Sequence, residues 1–444
     1  MQEQVENKGK ALRKTVARSE QAKFKLYKDR PTVLSMIEAS NYDRLPELIP
    51  IRHARMSVSP FTFYRGTAGI MANDLNNLPH TNELVQAIGD CHLMNFGGFA
   101  TPERTLVFDA NDFDETFPAP WEWDIKRLAT SFILAARNNH FSEGDAKDIV
   151  LSLLNSYRTH VQEFSQMNML DLWYMKFDIQ EMANTTKSAA ARDLLDAAIT
   201  QAHKETHQKV FYKLTQSVLG SFEIANQPPL VYHTIDVKKD KRILSIFFEK
   251  YLETLQYDRR WLVEKYKLID AALKVVGVGS VGTRCYVALM MNENKEPLFI
   301  QVKEARKSVL DFSTTRRPRT HQGERVVNGQ RLVQAASDIF LGWATGEQGR
   351  HFYLRQLRDK KIAPDVDHFN KEVLDGYARL CGRMLARAHV KTGNGTCISA
   401  YMGKSDVFDV AIKDFAVAYA NQTEKDYGDF MKAIKAGKLP IEKE

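Results

Sequence analysis

The stretch GDCHLMNFGGF, residues 89–99, places an acid, a histidine and an asparagine within six residues. Asn95 follows Asp90 by five positions, and the acidic segment DFDE, residues 112–115, begins seventeen residues after Asn95. The segment that leads into it, TLVFDAND, alternates apolar and polar residues and is predicted to be a strand that carries its acid at the end. Two acidic segments joined by a short strand predict one polar site.

The spacing of these residues is typical of the catalytic loop of phosphoryl-transfer enzymes. In such a loop the acid accepts the proton of an attacking hydroxyl, and the asparagine oxygen binds a divalent cation. We therefore predict Asp90 as the catalytic base, and Asn95 and Asp112 as ligands of Mg²⁺ or Mn²⁺, with phosphate and water completing the shell. Each residue alone is equally typical of a turn or a strand end. Their joint occurrence at this spacing favours the site.

A second pattern is the glycine-rich stretch VVGVGSVGTRCYV, residues 275–287. Gly277, Gly279 and Gly282 lie between two strand-like runs, with Ser280 in the bend. Glycines let backbone amides approach phosphate oxygens without a Cβ in the way. The β-rich run that follows is unlike the helix start of a dinucleotide-binding loop. We predict a phosphate-binding hairpin, and the alternative is a plain glycine-rich hairpin.

The apolar strand FIQVKEA, residues 299–305, ends on Lys303, about two dozen residues after the glycines. An ammonium held by a strand beneath a phosphate-covering loop neutralises phosphate charge. Such a lysine needs a carboxylate partner, and Glu324 is the predicted one. Glu304 is expected to point to the opposite face of the strand. A surface lysine at a strand end is the alternative.

Three more polar residues accompany these motifs. His92 is predicted to brace its loop, since no second histidine lies beside it at metal-ligand spacing. Asp124, in PWEWDIKRLA, is predicted to be a buried acid that accepts backbone N–H groups of the loop around Asp90. Arg65, in the predicted strand or turn FTFYRG, is expected either to bind a phosphate in a bidentate manner or to be structural.

Periodicity along the chain predicts an α+β fold with a helical large lobe and a β-rich small lobe. Helices are expected to continue to about residue 268, with a loop at 226–229. The run HFYLRQL predicts a further strand, and helices are expected again from about residue 369. The predicted parts are a helical lead-in (1–50), a large helical lobe with both acidic loops (51–268), a β-rich nucleotide-binding lobe (269–358) and C-terminal helices that complete the large lobe (359–444).

Composition limits the class of protein. Of the 444 residues, 44% are hydrophobic and 26% charged, which is typical of a soluble globular chain. The net charge of +7 suits an anionic ligand, but the basic residues are too dispersed to predict specific nucleic-acid binding. The four isolated cysteines favour a reducing compartment over a disulfide framework or a zinc site. With neither a secretory signal nor a membrane-length apolar run, we expect a cytoplasmic protein.

The order of the motifs is unusual, because the glycines and Lys303 follow the acidic loops. In ordinary kinase-type chains they precede them. The C-terminal stretch LDGYARLCGRMLARAHVKTGN is like the helix that leads into the catalytic loop. Circular permutation explains this order, since it is tolerated where chain termini lie close together at a surface.

Taken together, the motifs resemble the family of domain of unknown function 2252, over residues from about 52 to 427. The motifs that carry this resemblance are FYRG, GDCHLMNFG, NDFDE, WDIKRLA, VGVGSVGTR, QVKEA and YLRQLRD. A more distant similarity is to aminoglycoside phosphotransferases and related small-molecule kinases. That similarity implies a circularly permuted protein-kinase-like fold that binds ATP. It also implies Asp90 as base, Asn95 and Asp112 as metal ligands, and Lys303 as the phosphate-binding lysine.

Three functions follow as hypotheses. The first is an ATP- and Mg²⁺-dependent phosphotransferase, and the second is a kinase-like nucleotidyltransferase that passes AMP to a protein. The third is a nucleotide-binding regulator without catalysis. The acceptor stays open among a sugar, an aminoglycoside-like amine, a lipid headgroup and a protein hydroxyl. In each case we expect the glycines, Lys303 and the acidic loops to line one cleft, with the helix ending near His389 packed beside the strand before Gly89.

Overall fold

The computed structural model describes residues 2–204, 207–218, 221–237, 239–312, 321–357 and 360–442, which form a mixed α+β fold. The helices are α1 (Gln2–Thr15), α2 (Val33–Asn41), α3 (Ile49–Met56), α4 (Pro60–Arg65), α5 (Ala68–Asn76), α6 (Trp121–Asn138), α7 (Glu143–Phe164), α8 (Met169–Tyr174), α9 (Ile179–Thr185), α10 (Ala189–Lys204), α11 (His207–Leu214), α12 (Lys241–Leu252), α13 (Tyr257–Val263), α14 (Gln322–Val333), α15 (Lys371–Thr392), α16 (Gly395–Met402) and α17 (Val407–Lys435). The strands are β1 (Leu84–Ala87), β2 (Phe96–Ala100), β3 (Leu106–Ala110), β4 (Phe117–Pro120), β5 (Thr215–Val218), β6 (Ser221–Ile224), β7 (Val231–Tyr232), β8 (Lys267–Lys274), β9 (Cys285–Met291), β10 (Pro297–Glu304), β11 (Gly342–Thr345), β12 (His351–Gln356) and β13 (Lys361–Ile362).

The β-rich lobe is built on a six-stranded antiparallel sheet in the order β11-β12-β10-β9-β8-β7. The predicted strands on both sides of the glycines, the strand that carries Lys303, and the strand in HFYLRQL are therefore confirmed. The last two residues of the motif YLRQLRD, 358 and 359, lie outside the described residues. Lys303 faces Tyr353 across β10 and β12, so the two side chains share one face of the sheet.

The segment before the sheet differs from the prediction of continuous helix up to residue 268. Residues 215–232 contain three short strands, and helices α11 to α13 pack onto the sheet. Phe211 of α11 joins a core with Phe299 of β10, and Tyr251 of α12 joins a second core with Ile300. The predicted boundary at 269 therefore falls inside a packed unit, because an amphipathic pattern shows that a face is buried but not which surface covers it.

The helical lobe has the largest core, formed by α6, α7, α15 and α17 together with the acidic loops. Helix α6 is buried on almost every side, and α15 packs closely along α7. Gly382 permits this approach, since a Cβ there would lie 2.5 Å from the carbonyl oxygen of Leu153. None of the described helices is both long and apolar enough to span a membrane.

The first helix and Arg30 pack against C-terminal helices of the helical lobe. Helix α1 packs on α16, where a Cβ on Gly9 would lie 2.3 Å from the carbonyl oxygen of Cys397. Farther along, Arg30 forms ion pairs with Asp74 at 2.7 Å and Asp426 at 2.6 Å. The two ends of the chain therefore pack against each other.

The prediction of a strand or turn at FTFYRG is wrong, because residues 60–65 form helix α4. Ser59 caps this helix by accepting the N–H of Thr62 at 3.2 Å, and Pro60 occupies the first helical position. Both are start signals for a helix, and they outweigh the β propensity of the aromatic residues that follow.

Candidate active site

The turn before Asp90 is held by a buried acid on α6. Gly89 has φ +95°, and a Cβ there would lie 2.2 Å from the carbonyl oxygen of Glu115, so the position requires glycine. Asp124 accepts the N–H groups of Ile88 at 2.7 Å and Gly89 at 3.0 Å, as predicted. Nε2 of His389 lies 3.4 Å from the same carboxylate, so α15 reaches the turn as expected.

Asp90 is held by an arginine that follows Asp124 by three positions. Nε of Arg127 donates to Oδ1 of Asp90 at 2.7 Å. Burial raises the pKa of Asp90 above its usual value, and the charge of Arg127 opposes that rise. Nε2 of His92 lies 3.7 Å from the other carboxylate oxygen, and burial lowers the pKa of His92 well below its usual value. The base candidate is thus a half-buried carboxylate between a guanidinium and a neutral imidazole.

Asn95 connects the first acidic loop to the second. The side-chain Nδ2 of Asn95 donates to the backbone carbonyl of Asp90 at 2.6 Å, and the backbone carbonyl of Asn95 accepts the N–H of Asn111 at 2.8 Å. The antiparallel pairing of β2 with β3 places Asn95 and Asn111 side by side at the sheet end. Because the side-chain nitrogen of Asn95 binds the Asp90 carbonyl, the side-chain oxygen Oδ1 is the atom that remains for a ligand.

The second acidic loop contacts Lys303. Nζ of Lys303 lies 2.7 Å from Oδ2 of Asp114 and 3.9 Å from Oδ1 of Asp112. The hydroxyl of Tyr353 donates to the other carboxylate oxygen of Asp114 at 2.7 Å. The lysine side chain is 4% exposed, whereas the side chains of Asp114 and Asp112 are 25% and 38% exposed. Asp114 is therefore the direct counter-ion, and Asp112 is the more accessible carboxylate.

The surroundings of Asp112 and Asp114 shift the pKa values of these two carboxyls in opposite directions. Burial alone would raise the pKa of Asp114, but the charge of Lys303 and the hydrogen bonds from Lys303 and Tyr353 lower it to about 2. Burial and the neighbouring charge of Asp114 raise the pKa of Asp112, against the effect of Lys303. Burial would lower the pKa of Lys303, yet the two carboxylates raise it well above its usual value. The charged form of Asp112 is therefore less favoured than that of Asp114, and a bound cation would favour it.

Glu324 was predicted as the partner of Lys303, and the structure places it elsewhere. Among the described residues no ion pair joins these two side chains, and Asp114 takes the expected position. The next residue on α14, Arg325, faces the acidic loop and donates to the carbonyl oxygens of Asp114 at 2.9 Å and Thr116 at 2.5 Å. Successive side chains on a helix point about 100° apart. The sequence pattern did not show whether residue 324 or residue 325 faces the acidic loop.

Glu304 lies on the opposite face of β10, as predicted. It forms ion pairs with Arg284 at 3.3 Å and with Arg350 at 3.0 Å. This pairing excludes it as the partner of Lys303.

The glycine-rich loop lies over both acidic loops. Gly277, Gly279 and Ser280 line the cleft beneath it, while Gly282 does not. Gly282 has φ +83°, a backbone conformation that favours glycine at this turn. The hydroxyl of Ser280 donates to Oδ2 of Asp114 at 3.1 Å, so the loop touches the cluster around the lysine.

A segment from the N-terminal part of the chain holds this loop. Arg44 donates to the carbonyl of Gly279 at 3.0 Å and also to the carbonyl of Val281. The N–H of Leu45 donates to the carbonyl of Gly282 at 2.8 Å. Nothing in residues 1–50 predicted this contact.

The two acidic loops, Lys303 and part of the glycine-rich loop line one cleft of about 1100 Å³. Asp90, Asn95, Asp112, Gly279 and Lys303 all belong to its wall, which confirms that they share one site. Arg65 also lines the cleft, whereas Glu324 and Gly282 do not. The chemical roles of these residues stay predictions.

Sequence reasoning missed four residues of the cluster, and two of them had a detectable signal. Asp114 is the second acid of DFDE. Arg127 follows Asp124 by one helical turn, which places both on one face of α6. Tyr353 and Arg355 lie two residues apart on one face of β12. Nε of Arg355 donates to Gln301 at 3.0 Å. Tyr353 and Arg355 had no such signal, because their positions near Lys303 depend on strand pairing.

The donor set at the cleft fits a hard divalent cation. Asp112 offers a carboxylate and Asn95 an amide oxygen, and Mg²⁺ prefers such oxygens while it keeps several water or phosphate ligands. Burial and the nearby charge of Asp114 raise the pKa of Asp112, and a cation beside Asp112 would favour its charged form. Among the described residues, no cluster of three or more histidine, cysteine or acidic side chains is placed to hold a metal.

Comparison with known proteins identifies one family. Neither curated proteins nor solved structures gave a match. The model of the family described as "Uncharacterized protein conserved in bacteria (DUF2252)" matches residues 44–433, which contain every residue of the cleft discussed above. The chain therefore belongs to this family.

Proposed function

We propose that the protein is an ATP- and Mg²⁺-dependent phosphotransferase with a circularly permuted, protein-kinase-like arrangement of two lobes. The observation that carries the proposal is the convergence of Lys303 and Asp112 with Asp90 and Asn95 in one cleft beneath a glycine-rich loop. Phosphoryl transfer depends mainly on positioning and electrostatic stabilisation, so a cleft that gathers a base, an ammonium and oxygen ligands suits it.

Each of these residues has a distinct role in the proposed reaction. An acceptor hydroxyl gives its proton to a carboxylate oxygen of Asp90 while its oxygen forms a bond to the γ-phosphorus. The bond from that phosphorus to the β-bridging oxygen breaks, and ADP leaves with the electron pair. Arg127 fixes the orientation of Asp90, and burial keeps the carboxylate more basic than in water. Lys303 binds phosphate oxygens.

The metal would be held by Asp112 and Asn95. When bound, Mg²⁺ supplies charge neutralisation for the phosphate oxygens. Asp114 does not need to be a ligand, since Lys303 and Tyr353 already use its two oxygens. Because both oxygens of Asp114 accept hydrogen bonds, Asp112 is the better candidate for the metal ligand.

Nucleotidyl transfer is a second candidate, and Arg355 is the residue that favours it. Gln301 and Arg355 line the cleft on the same face of the sheet as Lys303, two residues along each strand. Positive charge thus continues along this face, so a triphosphate can be bound in either direction. With the direction reversed, the α-phosphorus rather than the γ-phosphorus would lie near Asp90.

The products distinguish the candidates. Protein incubated with ATP, Mg²⁺ and a panel of hydroxyl and amine acceptors is expected to form ADP without pyrophosphate, and Asp90→Asn is expected to suppress this reaction. Pyrophosphate as the product would favour nucleotidyl transfer. Nucleotide binding with neither product, across a panel of hydroxyl and amine acceptors, would favour the regulator.

We also propose that the protein acts in the reducing environment of the cytoplasm. Cys91, Cys285, Cys381 and Cys397 are all free and buried, which supports a compartment where thiols stay reduced. A mass measurement of alkylated protein purified from cells would show four modified thiols after unfolding, and intact disulfides would contradict the proposal.

A further inference from the structure

The arginines on one wall of the cleft differ from other buried arginines of the protein. Arg158 pairs with Asp409 at 2.9 Å, and Arg387 pairs with Asp109 at 2.8 Å. Arg44, Arg52 and Arg65, which line the cleft, have no carboxylate within ion-pair distance among the described residues. These three arginines thus differ from Arg158 and Arg387, each of which has a carboxylate partner.

Two members of this arginine wall also retain unused donors. Arg52 is 1% exposed and binds only the amide oxygen of Asn41 and the carbonyl of Gly66, while its Nε has no partner. Arg65 has a buried Nε without a partner, and its guanidinium lies 5.9 Å from the ring of Phe61. A buried charge without a counter-ion is costly, and a site that binds an anion offsets that cost.

The arginine wall adjoins the predicted base. A Cβ built on Gly279 would lie 3.5 Å from the backbone oxygen of Arg65 and 3.9 Å from Oδ2 of Asp90. His92, beside Asp90, is 4% exposed and has an Nδ1 without a hydrogen-bond partner in the described part of the chain. Lys303 provides a separate positive centre for the nucleotide phosphates, so the unpaired arginines are available to a second anion.

We propose that Arg44, Arg52 and Arg65 bind an anionic group on the acceptor itself. The acceptor is then a small molecule that carries a phosphate or carboxylate in addition to the hydroxyl that reacts. This inference rests on the proposed phosphotransferase function and narrows its substrate class. It disfavours a polycationic amine, which would meet like charges at the arginine wall.

The test uses calorimetric titration of inorganic phosphate and, in parallel, acetate into full-length protein saturated with Mg²⁺ and a non-hydrolysable ATP analogue. Ionic strength is matched with sodium chloride. At least one anion is expected to bind, and Arg65→Gln is expected to weaken it by about tenfold or more, as for a lost charge-assisted hydrogen bond. Arg65 donates no hydrogen bond within the described chain, so its replacement leaves the fold intact. Arg260→Gln, on the surface of α13, should bind the anion normally.

Three outcomes would overturn the inference: no anion binding to the loaded protein, anion binding that Arg65→Gln leaves unchanged, or an Arg65→Gln effect on the ATP analogue alone. The last would place the arginine with the nucleotide phosphates. If the analogue does not bind but phosphate still does in an Arg65-dependent way, the arginine wall is supported and the phosphotransferase proposal is contradicted. Tight binding of a polycation such as kanamycin, with no anion bound, would contradict the inference as well.

Discussion

Lys303 and Asp114 lie 189 positions apart in the chain, yet Nζ of the lysine is 2.7 Å from the aspartate Oδ2. This ion pair joins the β-rich lobe to the second acidic loop. It also fixes the lysine next to Asp112, whose Oδ1 lies 3.9 Å from Nζ. The proposed function depends on this pair because it sets the distance between the phosphate-binding ammonium and the metal ligands.

Replacing the lysine is expected to affect both folding and binding. Lys303→Met leaves Asp114, which is 25% exposed, without its cation, so we expect a loss of roughly 1–3 kcal/mol of unfolding free energy. Affinity for an ATP analogue should fall by at least about tenfold. Urea unfolding and calorimetry measure the two effects, and the surface variant Lys250→Met should show neither. Unchanged nucleotide affinity in folded Lys303→Met would contradict the assigned role.

Removal of the base should separate chemistry from binding. Asp90→Asn keeps the size of the side chain but cannot accept the proton, so turnover should fall by about 10²–10⁴ while nucleotide affinity changes little. Steady-state rates of ADP formation and calorimetry with an ATP analogue test this together. Full activity in the variant would show that another group is the base.

A pair of glycine substitutions tests the backbone of the two loops. Gly89→Ala should destabilise the protein by more than about 1–2 kcal/mol, because φ is +95° and the new Cβ would overlap the carbonyl of Glu115. Gly277→Ala is the matched control, since no atom lies within 4 Å of a Cβ built there. Equal thermal stability of the two variants would contradict the geometry of the turn before Asp90.

The pH dependence of stability is expected to depend on Glu115. Burial raises the pKa of this cleft-lining carboxyl to about 7 in the folded protein, above the value of about 4.3 for an unfolded chain. The folded state therefore holds the proton more tightly, and the stability contributed by neutral Glu115 is full below pH 4 and is lost as the pH rises through 7.

Glu115→Gln keeps the neutral form and removes this loss. Its unfolding free energy relative to wild type should increase between pH 4 and 8, measured by urea unfolding. The surface variant Glu293→Gln should follow the wild-type curve throughout. Parallel curves for Glu115→Gln and wild type would show that the carboxyl titrates normally.

The contact between Arg44 and the glycine-rich loop predicts slow amide exchange in that loop. Arg44→Ala removes the bonds to the carbonyls of Gly279 and Val281, so hydrogen exchange across residues 277–282 should become faster without nucleotide present. Arg192→Ala, on the exposed face of α10, is the control. Exchange rates that match the wild type would indicate that other contacts hold the loop.

Local sequence patterns were sufficient for the elements that carry their own signals. The spacing of Asp90 and Asn95, the glycines between two strands, and the strand ending at Lys303 each predicted structure that is present. Asp124 was predictable because an acid in the first turn of a buried helix needs N–H donors nearby. These features depend on residues that are close in sequence.

The remaining features depend on long-range packing. Whether Glu324 or Arg325 faces the acidic loop depends on the rotation of α14, which packing against the sheet decides. The contact of Arg44 with the glycine-rich loop joins residues 235 positions apart, and no periodicity encodes it. The same holds for Arg355, which reaches the cleft only because β12 pairs with β10.

The most direct test of the central claim is calorimetric titration of a non-hydrolysable ATP analogue with and without Mg²⁺, in wild type and in Asp112→Ala. We predict binding to the wild type that weakens by about tenfold or more when Mg²⁺ is removed, because a cation held by Asp112 would neutralise phosphate charge. Asp112→Ala should bind weakly whether or not Mg²⁺ is present. No binding to the wild type, or equal affinity in all four titrations, would contradict a metal-dependent nucleotide site in this cleft.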